Sequence, residues 1–324
     1  MNDAHTAYLD KLLAPYGPTK PIPELVVEIN RIFHVLSADG YDDIHPEIHD
    51  QLPGIWRDML AVVHAKGKPP WKIIDFGAGT GFASGMALEH LPIKDISALT
   101  CFDLSEHMLA KAGERLKPLF PALQLTTTLP TARESVNLLL SNSVLHHLPD
   151  VEASIASLEP LLAPGAFWLA GHEPSSRFYA NPECVRVLNA QEHSNRWTRF
   201  LRPSKYWGQI KKLFHGDLNI GAAKRCVEQG LFRAQPSADV IDRLVDFGVA
   251  HSVEEAQAGR GLDFRALEKR FAGRWTLRDV KTYSYMGNLY EGYLTSYWRG
   301  ECAKLAHRFP DDGAMFTCLW QRNS

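Results

Sequence analysis

The sequence predicts an α/β protein: a doubly wound, mostly parallel sheet with helices added before it and a helical insertion late in it. Three observations carry this expectation. Short apolar runs alternate with helix-like stretches from residue 71 to residue 172. The runs are continuously apolar instead of alternating, as strands covered on both faces require. A glycine-rich turn follows the first run directly and opens into a helix.

Taken in order, residues 1–70 read as a helical N-terminal cap. Pro23 opens a helix over 24–36, where Leu25, Ile29, Ile32, Phe33 and Leu36 share one face. A second helix carries Trp56, Leu60 and Val63 and ends near Gly67, before the Lys68-Pro69-Pro70 linker. Strands are expected at 71–76, 98–103, 122–127, 136–142 and 166–172, with helices at 82–91, 106–117 and 151–162. After His172 the alternation stops. Residues 173–274 read as an inserted helical lid or substrate subdomain. In 275–324, strands at 275–285 and 315–322, separated by a helix over 289–307, complete the sheet.

The chain has 324 residues, 45% of them hydrophobic, enough to bury a sizeable core. With 35 Lys and Arg against 37 Asp and Glu, its net charge is −2. That balance argues against coating nucleic acid by bulk charge. The five cysteines, Cys101, Cys184, Cys226, Cys302 and Cys318, are scattered without a CxxC pair, which excludes a disulfide framework or a cysteine zinc ribbon. No apolar run approaches the roughly 20 residues of a membrane span, and the N-terminus has no signal-like apolar segment. A cytoplasmic location without membrane association is expected.

The informative segment is Ile73-Ile74-Asp75-Phe76-Gly77-Ala78-Gly79-Thr80-Gly81-Phe82. A dinucleotide fingerprint would need glycine at position 82, where Phe82 stands. No phosphate-loop motif is present either. The segment resembles the first motif of class I S-adenosylmethionine-dependent methyltransferases of the small-molecule type. Asp103 ends the second strand, where a carboxylate can accept ribose hydroxyls. Ser141 to Asp150, containing His146-His147-Leu148-Pro149, resembles the family's fourth-strand motif. Leu161 to Phe167 resembles its turn before strand five. The resemblance covers residues 71–172 and the two late strands, not the insertion. It implies a Rossmann-like sheet whose last strand is antiparallel, with S-adenosylmethionine as cofactor. It also implies donor contacts from Tyr41, Asp75, Gly77, Ala78, Gly79, Gly81, Asp103, Leu104, Met108, Thr128, Leu129 and Asn142. Two positions depart from the pattern: Thr126 to Thr128 replace an acidic residue, and Asn137 replaces an aspartate.

Methyl transfer to oxygen or nitrogen often needs a base beside the donor. His147, His172 and Glu173 fall near strand ends on the ligand-binding edge. Each is a candidate base; His147 equally suits a shaping role. Tyr283 and Tyr290 belong to an aromatic stretch that reads as core or as the lining of a substrate pocket. Arg199 and Arg202 lie in a basic, aromatic-rich part of the insertion. They suit an anionic small acceptor, single-stranded RNA or a solvated face. His45 and His49 are spaced for a metal on a helix, but no second cluster accompanies them, and no metal is expected. The expected partner is a small-molecule acceptor, with nucleic acid disfavoured and a homodimer left open. An RNA or protein methyltransferase and a non-catalytic partner subunit remain the alternatives.

Overall fold

Eight strands form among the described residues: β1 (Trp71–Phe76), β2 (Ile96–Phe102), β3 (Gln124–Thr126), β4 (Val136–Asn142), β5 (Leu162–Pro174), β6 (Trp275–Tyr283), β7 (Tyr285–Asn288) and β8 (Met315–Arg322). The computed structural model describes residues 3–40, 51–198, 218–288, 292 and 294–323. Seven of the strands make one sheet in the order β3-β2-β1-β4-β5-β8-β6. The first five pair in parallel. β8 runs antiparallel to both β5 and β6. This is the doubly wound sheet with an antiparallel last strand.

The sheet separates two cores, which explains its continuously apolar strands. Ile73, Leu138, Leu140 and Leu169 face one side, with helices Gln51–Lys66, Phe82–His90 and Glu106–Leu116 over them. Ile74, Leu139, Trp168 and Ala170 face the other, under helices Val151–Leu158 and Phe264–Phe271. Neighbouring residues thus enter opposite cores, and neither face is polar.

A third core joins the chain's start to its insertion. Helix Ile22–Ser37 presents Leu25, Ile29 and Ile32 to Ala222, Ala223 and Cys226 of helix Leu218–Glu228, and to Ile241 and Leu244 of helix Ala238–Val245. The small side chains of the partner helix let the backbones approach closely. A fourth cluster packs Phe178, Cys184 and Val187 against Tyr285, Met286 and Leu305.

Some element boundaries differ from expectation. The strand expected over 275–285 breaks at Ser284, whose φ of 62° turns the chain out of the sheet and into β7. The helix expected from residue 289 is Ser296–Arg308. All five cysteines are buried and free. Among the described residues, no helix is long and apolar enough to cross a membrane.

Candidate functional site

β1 delivers the glycine loop to the C-terminal edge of the sheet. Gly77 has a φ of 69°, and a Cβ there would lie 2.6 Å from Val144 Cγ2. Glycine is required because the loop after β4 presses against it. Gly79, at φ 52°, is different: a Cβ there would meet nothing within 4 Å. It would enter a cavity of about 140 Å³ bounded by this loop. Ala78, Asp103, Leu104, Met108 and Asn142 also line the cavity. Gly81 precedes helix Phe82–His90, also with positive φ.

Asp103 is fixed at the cavity wall by two backbone donors. Gly79 N–H donates to its Oδ2 (2.9 Å) and Ser105 N–H to its Oδ1 (2.8 Å). Each oxygen keeps a further lone pair for a ligand hydroxyl. Burial raises the Asp103 pKa, and the two N–H groups counter part of that rise. Asp75 has another task. It is wholly buried, and its Oδ2 accepts from Ser84 N–H (2.9 Å) and Ser84 Oγ (2.6 Å). Burial pushes its carboxyl up to about 6. Its side chain secures the helix start behind the loop; Asp75 also lines the cavity, and its Oδ1 is buried without a hydrogen-bond partner.

The second group of expected residues sits at the ends of β4, β5 and β6. Glu173 is fully buried, and its carboxylate is already engaged. It accepts from Val144 N–H (2.8 Å), Leu145 N–H (2.9 Å) and His146 N–H (3.2 Å), and its Oε2 lies 2.8 Å from His146 Nδ1. Burial raises its pKa to about 7, with the three N–H groups pulling the other way. This corrects the expectation of Glu173 as a substrate-facing base: it organises the loop after β4. His147 does line the cavity, and its Nδ1 lies 2.7 Å from the Val245 carbonyl.

His172 has a φ of 55°, which is rare outside glycine and recurs at functional positions. Its Nδ1 lies 3.1 Å from Tyr283 Oη, which in turn lies 3.2 Å from Thr317 Oγ1. The structure therefore joins two separately expected residues, His172 and Tyr283, in one polar chain. Asn142 Oδ1 accepts from Trp56 Nε1 (3.2 Å).

Thr128 and Leu129 do not reach the cavity. Thr128 is engaged with Thr126, and Leu129 packs against the core under helix Val151–Leu158. Tyr41, Arg199, Arg202 and Tyr290 lie outside the described residues, as do His45 and His49. Sequence reasoning missed one wall entirely. Val27, Asn30, Arg31 and His34 of helix Ile22–Ser37 line the cavity. Their spacing of three and four residues was the available signal, a second stripe beside the apolar one.

Residues 74–168 match a family model described as a methyltransferase domain. The matched segment is similar to a methyltransferase domain. Its glycine loop, Asp103 and the loop after β4 all fall inside the matched stretch. Among curated proteins, the chain is similar to malonyl-[acyl-carrier protein] O-methyltransferase from Methylococcus capsulatus, 29% identical over 133 residues. That alignment covers 40% of this chain and 46% of the relative, so the chain spans under half the relative's length. Similar solved structures include a SAM-dependent methyltransferase from Aquifex aeolicus, 18% identical, covering 37% of this chain and 65% of that one at a TM-score of 0.32. The plantazolicin methyltransferase BpumL in complex with SAH is 12% identical and covers 94% of this chain and 99% of that one, with a TM-score of 0.45.

Proposed function

We propose that this protein transfers a methyl group from S-adenosylmethionine to an oxygen or nitrogen of a small organic acceptor. The observation that carries the reading is the pairing of Gly79 N–H with the Asp103 carboxylate at one cavity, within the segment similar to a methyltransferase domain. The open Cβ position of Gly79 lets a ligand touch the backbone, and Asp103 offers oxygen acceptors to a ribose diol. Leu104 and Met108 supply apolar surface in the same cavity. The donor, when bound, supplies a methyl already activated on a sulfonium, so positioning does much of the work. His147 lines the cavity and is the group available there to hold or take an acceptor proton, whereas His172 and Tyr283, paired with each other, lie outside its lining.

A finer reading concerns the acceptor. The Methylococcus relative is named for O-methylation of a carrier-bound malonyl group. A carboxylate acceptor fits the present site because it is ionised near neutral pH and needs no base, and Glu173 is unavailable as one. Calorimetric titration with S-adenosylhomocysteine tests the donor reading: saturable one-to-one binding is expected, and its absence would sink the proposal. Methyl transfer from labelled donor to carrier-bound dicarboxylates, free carboxylic acids and bulk transfer RNA then separates the acceptor classes. Labelled methyl esters of the carboxylate acceptors are the expected products. Salt-sensitive labelling of RNA would instead favour the nucleic-acid alternative.

A further inference from the structure

A second cavity lies beside the donor cavity. Its volume is about 970 Å³, against about 140 Å³ for the donor cavity, and falls within the roughly 300–1,000 Å³ of small-molecule sites. Leu148 and Pro149, which follow His147, line both cavities. The other walls come from helices Val151–Leu158 and Phe264–Phe271, from helix Val253–Gln257 of the insertion, and from Tyr8 of helix Asp3–Leu13. Part of the lining is apolar: Leu148, Leu262 and Leu267 continue into the core beneath helix Val151–Leu158.

The charged groups on this lining are unequally occupied. All five of its carboxylates are engaged. Asp150 and Asp263 cap helix N-termini, accepting from Ala153 N–H (2.9 Å) and Arg265 N–H (2.8 Å). Glu152 accepts from Arg274 (3.0 Å), and Asp312 pairs with Arg177 (2.9 Å). Glu255 accepts from Arg243 (3.1 Å) and from His251 N–H (2.9 Å). Arg260 and Arg270 stand apart: among the described residues, neither guanidinium donates a hydrogen bond. Arg260 sits over the Tyr8 ring, 4.7 Å from its centre, and its Nη1 is 3.7 Å from Glu255 Oε1. Only 28% of its side chain is exposed. Stacking occupies the face of a guanidinium and leaves its in-plane N–H donors to point outward.

We propose that this cavity binds an amphipathic organic anion, with an apolar body against Leu148, Leu262 and Leu267 and a carboxylate or phosphate held by Arg260. A guanidinium offers either group two parallel N–H bonds. Arg270 adds positive charge to the same lining. An inorganic ion would leave the apolar surface bare, and a neutral apolar molecule would leave the Arg260 donors unpaired. On the methyl-transfer reading the occupant is the acceptor, since Leu148 and Pro149 border the donor on their other side. The binding itself does not depend on that reading.

The test is calorimetric titration of the full chain with octanoate, octyl phosphate, octanol and octyltrimethylammonium. Saturable one-to-one binding of at least one anion is expected, at least about tenfold tighter than that of octanol. The tighter anion identifies the head group. Arg260→Gln should weaken anion binding by at least about tenfold, and Arg260→Lys, which keeps the charge but loses the planar fork, should fall between it and the wild type. Urea unfolding midpoints near that of the wild type establish that both variants are folded. Arg260 does not line the donor cavity, so S-adenosylhomocysteine affinity on the same samples reports separately on the donor reading. No saturable binding of either anion, equal or tighter binding of octanol or the cation, or wild-type anion affinity in Arg260→Gln would overturn the proposal.

Discussion

At the scale of single residues, two glycines of one loop should fail in different ways when replaced. Gly77→Ala drives a methyl toward Val144, 2.6 Å away, in a left-handed conformation. Overpacking of this kind costs about 1–3 kcal/mol, and it should appear as a lower unfolding midpoint. Gly79→Val places its side chain in open cavity space instead. Its main loss should be in S-adenosylhomocysteine affinity, beyond the strain of a β-branched residue at φ 52°. Asp103→Ala removes acceptors worth roughly 1.5–3 kcal/mol each to a ligand hydroxyl, or about 10- to 150-fold in affinity per bond. Calorimetry on the three variants checks the division: equal affinity losses at Gly77 and Gly79 would contradict it. Gly79 and Asp103 were legible in the sequence because the loop spacing and the strand end fix their places. Glu173 was not. A carboxylate in a sequence carries no direction, and only the fold shows that three N–H groups of the loop after β4 claim it.

At the scale of elements, helix Ile22–Ser37 connects the parts. Its Asn30 is buried, and Nδ2 donates to Val26, Leu244 and Val245 carbonyls at 3.0, 3.3 and 3.3 Å. The last two end helix Ala238–Val245, whose carbonyls have no partner within that helix. Asn30→Ala should therefore destabilise the protein by about 1–2 kcal/mol. The low end is favoured because the buried Asn30 Oδ1 has no partner of its own, and the substitution removes that burden too. Urea unfolding measures the loss, and no change in midpoint would show the contacts to be idle. Strands between residues 71 and 172 were legible because both faces of the sheet are buried and the apolar runs are unbroken. The pairing of this helix with the insertion was not legible, since its contacts join residues some two hundred positions apart and leave no local pattern. The cavity wall formed by Val27, Arg31 and His34 did leave a local pattern in its three- and four-residue spacing, but that spacing does not distinguish a ligand-facing stripe from a solvated one.

At the scale of the whole molecule, two buried carboxyls make stability depend on pH. Asp75 is raised from its ordinary 3.8 to about 6 and Glu173 from 4.5 to about 7, burial being the largest cause in both. In the unfolded chain both return to ordinary values, so the folded state binds protons more tightly than the unfolded one. The sign follows from linkage. Their contribution is fully present below about pH 4, declines as the pH rises toward 7, and is constant above it. Each pK unit corresponds to about 1.4 kcal/mol, so each carboxyl accounts for about 3 kcal/mol across that window. Replacing each with its amide separates this effect from the rest of the titration. Asp75→Asn and Glu173→Gln should both flatten the fall in unfolding free energy between pH 4 and pH 7. Glu173→Gln sets a carboxamide NH₂ against the His146 N–H that its carboxylate accepted. That variant should also lose stability at the acid end, where the wild-type carboxyl is neutral. Parallel stability profiles for wild type and both amide variants would mean that the backbone donors hold the two carboxyls ionised in the fold, and that burial does not decide their protonation.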